Sequence, residues 1–412
     1  MLHKTRRIIE DILRVLSISS VTGDTEGIAK CQEEVRRIAL ELGFKTEKVG
    51  NGKVLVVSPQ NLTMPAKLGI VVHLDTVPFE KAEWTFNPLG QLYKDRLYGR
   101  GIIDDKGPMI LAMHAFEELR GKIEDSWQII IGSDEEGDWE DMQAYLAENP
   151  VLPKFLVTLD GDGVQNGCRG YMDLRLVFKK ETDTDHIEDI YVPGGSNNTL
   201  PKTCTMKRSD GRYFLGVGDE VHSSIPHQGH SAITDFATRV CGEVYEEYKS
   251  FFDLLIRLDK TYDGSVIKIP YADVSATNVY KDENGINLNL NVRMEKDIDE
   301  GTLKTILTNL EETYHCVAFV DSYFKPSSVD PDSPEIEAMK NAYKMVIGKE
   351  AKVTIARGLG YNAALPNCAI FGPRNQVDHD EEDFCHQVNE NRRVEDIMDF
   401  YDMFKFFVKD VL

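Results

Sequence analysis

The chain has 412 residues, 42% hydrophobic and 28% charged, a composition that excludes disordered and fibrous classes and suits two globular domains with a sizeable core. Asp and Glu number 69 against 47 Lys and Arg, a net charge of −22, so the average surface repels phosphate backbones and anionic headgroups, and neither nucleic acid nor membrane is expected as a partner. The seven cysteines are scattered and never spaced as CxxC, which reads as reduced thiols; with no signal peptide and no apolar run long enough to span a bilayer, a cytoplasmic location is expected.

The first 165 or so residues alternate helix and strand, the pattern of an α/β domain. Ile9, Ile12, Leu13 and Leu16 recur at helical spacing, and helices are predicted near 5–18, 26–42, 107–120 and 139–148. KLGIVVHL (67–74), SWQIIIGS (126–133) and KFLVTL (154–159) are short apolar runs, each followed at once by polar residues; they predict strands of a largely parallel sheet flanked by helices. From about Cys168 the texture changes to the alternation of YMDLRLVF and GINLNLNVRM, broken by the turn-rich VPGGSNNTLPKT, which marks an inserted α+β domain over 168–329. SSVDPDSPEIEAMKNAYKMV reads as a linker into a capped helix, so 1–167 and 330–412 are expected to form one domain.

In an open α/β sheet ligands sit beyond the carboxyl ends of the strands, which is where HLD, SDEEGD and LDGDG fall. In VVHLDTVP the strand period places His73 and Asp75 on one face and Leu74 on the other, so His73 can bind a metal while Asp75 orients its ring. A histidine satisfied within the fold at a strand end is the plainer alternative. YGRGIIDDKGP offers Asp104 and Asp105 just before a helix, where they serve either as caps or, beside His73, as a carboxylate bridging two cations. Glu135 and Glu136 follow an apolar strand directly and repel each other unless a positive charge offsets them, although a solvated acidic loop has the same composition. Asp160 in VTLDGDG has Asp162 as a competitor, and CHQVNEN supplies His386. Together these stations hold the nitrogen and oxygen donors that a pair of divalent ions requires.

HLDTVP, the run from Trp84 through IIDDKGP, SDEEGD, LDGDG and HQVNEN resemble, in order and spacing, the co-catalytic metallopeptidases that include carnosinase, carboxypeptidase G, the succinyl-diaminopimelate desuccinylases and dipeptidases of the PepV type. The resemblance covers the two ends of the chain well and the centre thinly. It implies His73 and Asp160 as ligands of one metal, Glu136 and His386 of the other, Asp104 bridging both, Glu135 as general base, Asp75 behind His73, and a cis Asp104–Asp105 bond. DEVHSSIPHQGHSA is similar to the segment whose histidine, here His222, polarises the scissile carbonyl; where the family has asparagine at the next helix, this chain has His230 and Ser231, a change assigned to capping. Asn198 in SNNTLP and Arg293 in LNVRME match substrate contacts of the dipeptidase branch, with a turn former and a surface strand residue as the bland alternatives. RGLGYNAALP resembles the loop that receives a substrate carboxylate, making Gly358, Gly360 and Tyr361 candidates, although the arginine that commonly follows the tyrosine is absent.

The implied function is hydrolysis of dipeptides by a metal-bridged water, with zinc expected first and manganese or cobalt next; the alternative is an N-acyl or N-carbamoyl amino acid amidohydrolase of the same family. A small peptide is the expected substrate partner, and the long insertion favours a monomer over a homodimer. His114, His227 and His379 are read as bystanders. Cys385 beside His386 is set aside as a nucleophile, because adjacent residues on an extended chain point apart.

Overall fold

The strand Leu68–His73 shows how its sheet is built. Leu68, Ile70 and Val72 enter a core on one face, joined by Leu74 beyond the strand, while Val71 enters a second core on the other. Its neighbours repeat the division, with Ile129 and Ile131 opposed to Ile130, and Leu55 and Val57 opposed to Val54 and Val56. A sheet covered on both faces gives continuous apolar runs rather than alternation, which is why these strands stand out in the sequence.

The computed structural model describes residues 2–373 and 384–412; His379 lies outside the described residues. Two compact units are formed, the first from Met1–Gly167, Ser327–Ala356 and Gly360–Leu412, the second from Cys168–Pro326 and Arg357–Leu359. In the first unit the sheet runs Lys45–Val49, Val54–Ser58, Trp127–Gly132, Leu68–His73, Phe155–Thr158, Cys368–Pro373, Asp162–Cys168 and Ser327–Ser328, with Thr354–Ala356 pairing on Asp162–Cys168. The four strands from Trp127–Gly132 to Cys368–Pro373 are mutually parallel, and antiparallel strands flank them. Helices Leu2–Leu16, Thr25–Glu41, Lys106–Leu119, Pro334–Ile347 and Val394–Val411 supply the larger core, while Glu140–Ala147 covers the other face. The capped helix read from SSVDPDSPEIEAMKNAYKMV begins at Pro334, with the Ser333 side chain accepting from the Ile336 amide. This is the predicted α/β architecture.

The second unit holds a seven-stranded antiparallel sheet in the order Tyr213–Val217, Thr203–Arg208, Ile187–Tyr191, Ala272–Asp282, Gly285–Met294, Gly170–Phe178 and Cys316–Phe324. Along Gly285–Met294, Leu288, Leu290 and Val292 enter a core shared with Ala232–Val244, Lys249–Leu258 and Glu300–Tyr314, and the alternating residues Asn287, Asn289, Asn291 and Arg293 take the other face. Among the described residues no helix is long and apolar enough to cross a membrane.

Candidate active site

His73 ends its strand and is buried. Its Nδ1 lies 3.1 Å from the Asp75 carbonyl oxygen and 3.4 Å from Asp75 Oδ1. A carbonyl only accepts, so Nδ1 carries a proton and Nε2 is the ring atom available to a ligand. Nε2 meets Asp104 Oδ1 at 2.8 Å. Burial opposes charge on this ring, but the contacts with Asp104 and Asp75 outweigh it and hold its pKa well above the usual imidazole range.

Asp75 has a second duty that the sequence reading missed. Its Oδ1 accepts from the Glu135 amide and its Oδ2 from the Glu136 amide, each at 3.1 Å, while Thr22 Oγ1 donates to Oδ2 at 2.8 Å. Burial works to raise the Asp75 pKa, but His73, Thr22 and the Glu135 amide together hold it below the ordinary carboxylate value. One buried carboxylate thus fixes both the imidazole and the backbone of the paired glutamates.

The Asp104–Asp105 bond is cis, as the resemblance implies. The helix that follows begins at Lys106 without a capping hydrogen bond from the Asp105 side chain, so capping does not explain this acidic pair. Asp104 Oδ2 instead lies 3.2 Å from His386 Nε2, so its two oxygens face two different imidazoles. His386 Nε2 also meets Glu136 Oε1 at 2.7 Å. Asp160 joins His73 and Asp104 in a group whose donor atoms lie within 4.8 Å of one another, whereas Asp162 is exposed. The Glu135 carboxyl is pushed well above its ordinary pKa, first by desolvation, with Asp160, Glu136 and Asp104 adding to the shift and His73 opposing it. At Gly360 a Cβ would come 3.1 Å from Glu135 Oε1 and 3.8 Å from Asp160 Oδ2, so a side chain there would press on the Glu135 carboxylate.

Three supports had been assigned no role. Glu390, buried, accepts from Arg100 Nη1 at 2.9 Å and from the amides of Gly101 and Ile103 at 3.1 and 2.9 Å; Arg100 Nη2 also donates to the His386 carbonyl at 3.3 Å. That pair ties the loop carrying Asp104 to the loop carrying His386. Asp141 accepts from the Ser133 amide at 2.6 Å and from the Tyr361 hydroxyl, which anchors the turn leading into the glutamates. Tyr361 is thus a buried wall residue, its ring 6.4 Å from that of His73. Third, Cys385 Sγ donates to Asp104 Oδ2 at 3.1 Å. The chain is not extended there, because His386 has φ 61°, so Cys385 and His386 need not point apart. His114 is buried against Asp11 at 2.9 Å, and His227 is exposed.

Within the second unit Asn198, His222 and Arg293 are brought together. Thr199 pairs with His222, and the Asn198 carbonyl accepts from the Ser223 amide at 2.8 Å. Arg293 Nη2 donates to Ser223 Oγ at 3.4 Å and its Nε to Asn291 Oδ1 at 3.0 Å, while Asn291 Nδ2 donates to the Asn197 carbonyl at 2.8 Å. Arg293 is buried, stacks 4.6 Å from the Tyr171 ring centroid opposite it in the sheet, and forms no ion pair with a carboxylate among the described residues; burial lowers its pKa to about 10. Neither the surface-strand reading of Arg293 nor the capping alternative at Asp104 describes what is seen. Ser231 caps the helix Ala232–Val244 by accepting from the Ile233 amide, as the departure at that position suggested. Gly358 falls with the second unit and Gly360 with the first.

Residues 69–410 match the model of peptidase family M20/M25/M40. The chain belongs to that family. It is therefore a hydrolase acting on peptide bonds. It is similar to the Beta-Ala-Xaa dipeptidase of Lactobacillus delbrueckii subsp. lactis, 24% identical over 80% of this chain and 78% of that protein. A Staphylococcus aureus (strain USA300) protein, provisionally named a dipeptidase, is 32% identical over 93% of this chain and 92% of its own length. The structure of human carnosine dipeptidase 1 superposes with a TM-score of 0.62 over 100% of this chain and 96% of that one at 15% identity, a likeness of fold. In this M20 chain two groups of side chains, His73–Asp104–Asp160 and Asp104–Cys385–His386, have donor atoms close enough to hold a metal ion.

Proposed function

We propose that this chain hydrolyses the peptide bond of dipeptides at a centre for two divalent cations, zinc first and manganese or cobalt next. The observation that carries the reading is Asp104, whose two oxygens face His73 and His386 separately. In this reading His73 and Asp160 hold one cation, Glu136 and His386 the other, and Asp104 both. Two imidazoles with three carboxylates are donors that such ions accept. Burial raises the Glu135 carboxyl first and the neighbouring Asp160, Glu136 and Asp104 add to it; that gathering of acids supports a cationic occupant, since like charges are otherwise driven to neutralise.

When bound, the ions supply Lewis acidity and lower the pKa of water in the site. Glu135 takes the proton of that water and returns it to the departing amine. Asp75 keeps the Glu135 and Glu136 amides in register with His73, so base and ligands are held by one carboxylate. His222 is the proposed partner of the developing oxyanion, on the resemblance of its segment. Arg293, a buried guanidinium that forms no ion pair among the described residues although Asp173 acts on it from nearby, suits a peptide's terminal carboxylate, with Asn198, Gly358, Gly360 and Tyr361 as the further substrate-side candidates.

The test is a panel of dipeptides run beside N-acetyl and N-carbamoyl amino acids. The reading expects dipeptide turnover that a chelator abolishes and zinc or manganese restores. Turnover confined to the acyl or carbamoyl compounds overturns the substrate, and a metal-replete protein inert toward every amide overturns the reading. Sedimentation tests the monomer we also propose; a tight dimer contradicts it.

A further inference from the structure

His222 sits at the end of the two-residue strand Val221–His222, paired with Thr199. Just beyond it the chain turns sharply, with the Ile225 amide donating to the His222 carbonyl at 3.0 Å. That turn folds Ser224 back over the imidazole. The Ser224 amide donates to His222 Nδ1 at 3.2 Å, and Ser224 Oγ lies 2.7 Å from the same nitrogen.

These two contacts decide where the ring proton sits. An amide N–H can only donate, so Nδ1 must present its lone pair; a protonated Nδ1 would set two N–H groups against each other at 3.2 Å. The hydroxyl can serve either role, and with Nδ1 as acceptor it donates as well. A neutral imidazole carries one ring proton, which is then on Nε2. The alternative tautomer, with a bare Nε2, would make His222 a base or a metal ligand instead of a donor. The adjacent serine has a different task, since Ser223 Oγ accepts from Arg293.

We propose that Ser224 is a positioning residue whose hydroxyl, together with its own amide, holds His222 in the tautomer carrying the proton on Nε2, so that the imidazole is a donor to a negatively charged substrate oxygen. This rests on the role proposed above for His222, but the tautomer can be read without any turnover.

The experiment is nitrogen NMR on the full chain with 15N-labelled histidine. The His222 signals, among those of 10 histidines, are identified as the pair lost in His222→Ala. The expected spectrum shows a protonated Nε2 and an unprotonated Nδ1. In Ser224→Ala the two signals move toward each other and kcat falls up to about tenfold, the worth of one neutral hydrogen bond, with KM within about twofold. Ser224→Thr restores both readouts. A proton on Nδ1 in the unsubstituted chain, or a Ser224→Ala spectrum indistinguishable from it, overturns the proposal. If the tautomer is as stated but His222→Ala turns over at the full rate, the assignment of the proton stands and the oxyanion role of His222 falls.

Discussion

In the first unit His73 turns Nδ1 toward the carbonyl of Asp75, an acceptor; in the second, His222 turns Nδ1 toward the amide of Ser224, a donor. The contacts therefore fix a proton on Nδ1 of His73, so that Nε2 is the atom a cation would take, and a lone pair on Nδ1 of His222, which puts the proton of the neutral ring on Nε2. Their surroundings differ in the same sense. Around His73 the partners are Asp104, Asp75, Glu135 and Asp160, an excess of acid that a cation relieves. The cluster that includes His222 is built from serines, asparagines and one arginine: Ser224 meets the ring, and Arg293 donates to Ser223 and Asn291. The first site gathers like charges that an added ion would offset, whereas the second is held by neutral hydrogen bonds and one guanidinium.

The largest effect that sharpens this contrast is expected from chelation. Stripping divalent ions should abolish turnover while the His222 nitrogen signals stay where they are, checked by assay and NMR on one sample. If the His222 signals move as much as those of His73, the two regions are not independent in this way. Next, Glu135→Gln should lower kcat by about 10² or more with metal content unchanged, read by steady-state kinetics beside elemental analysis. Retention of normal kcat removes Glu135 as the base.

Asp75→Asn distinguishes the two duties of that carboxylate. If His73 ligates a cation as proposed, loss of its partner should weaken metal binding about 10–100-fold, measured by titration into the stripped protein. Because Asp75 also accepts from the amides of Glu135 and Glu136, saturating metal should fail to restore kcat in full. Full recovery would leave it with the imidazole duty alone. The smallest effect concerns the wall behind the acids. A Cβ at Gly132 would meet the Tyr361 hydroxyl at 2.2 Å and Asp141 Oδ2 at 2.6 Å, so Gly132→Ala should cost about 1–3 kcal/mol of stability by denaturant unfolding. An unchanged midpoint would mean that this wall yields.

Much of this was legible because strand ends are where an α/β sheet exposes chemistry. His73, Glu135, Glu136 and Asp160 all follow apolar runs, and the runs are conspicuous because both sheet faces are buried. The convergence of His386 was not, since only the fold brings it to Glu136 from 250 residues away. The same holds for Arg100 and Glu390, which lie in recognisable motifs but whose task appears only when their loops meet. Asp141 carried no signal at all, being one acid in a predicted helix. For Cys385 only the reason for setting it aside fails, because a positive φ at the next residue turns both side chains toward Asp104, and alternation assumes an extended chain.

The most direct test of the two-cation centre is anomalous diffraction from crystals grown with zinc. The account predicts two peaks flanking the Asp104 carboxylate, one beside His73 and Asp160 and the other beside Glu136 and His386. A single peak, or ions bound away from Asp104, would contradict it.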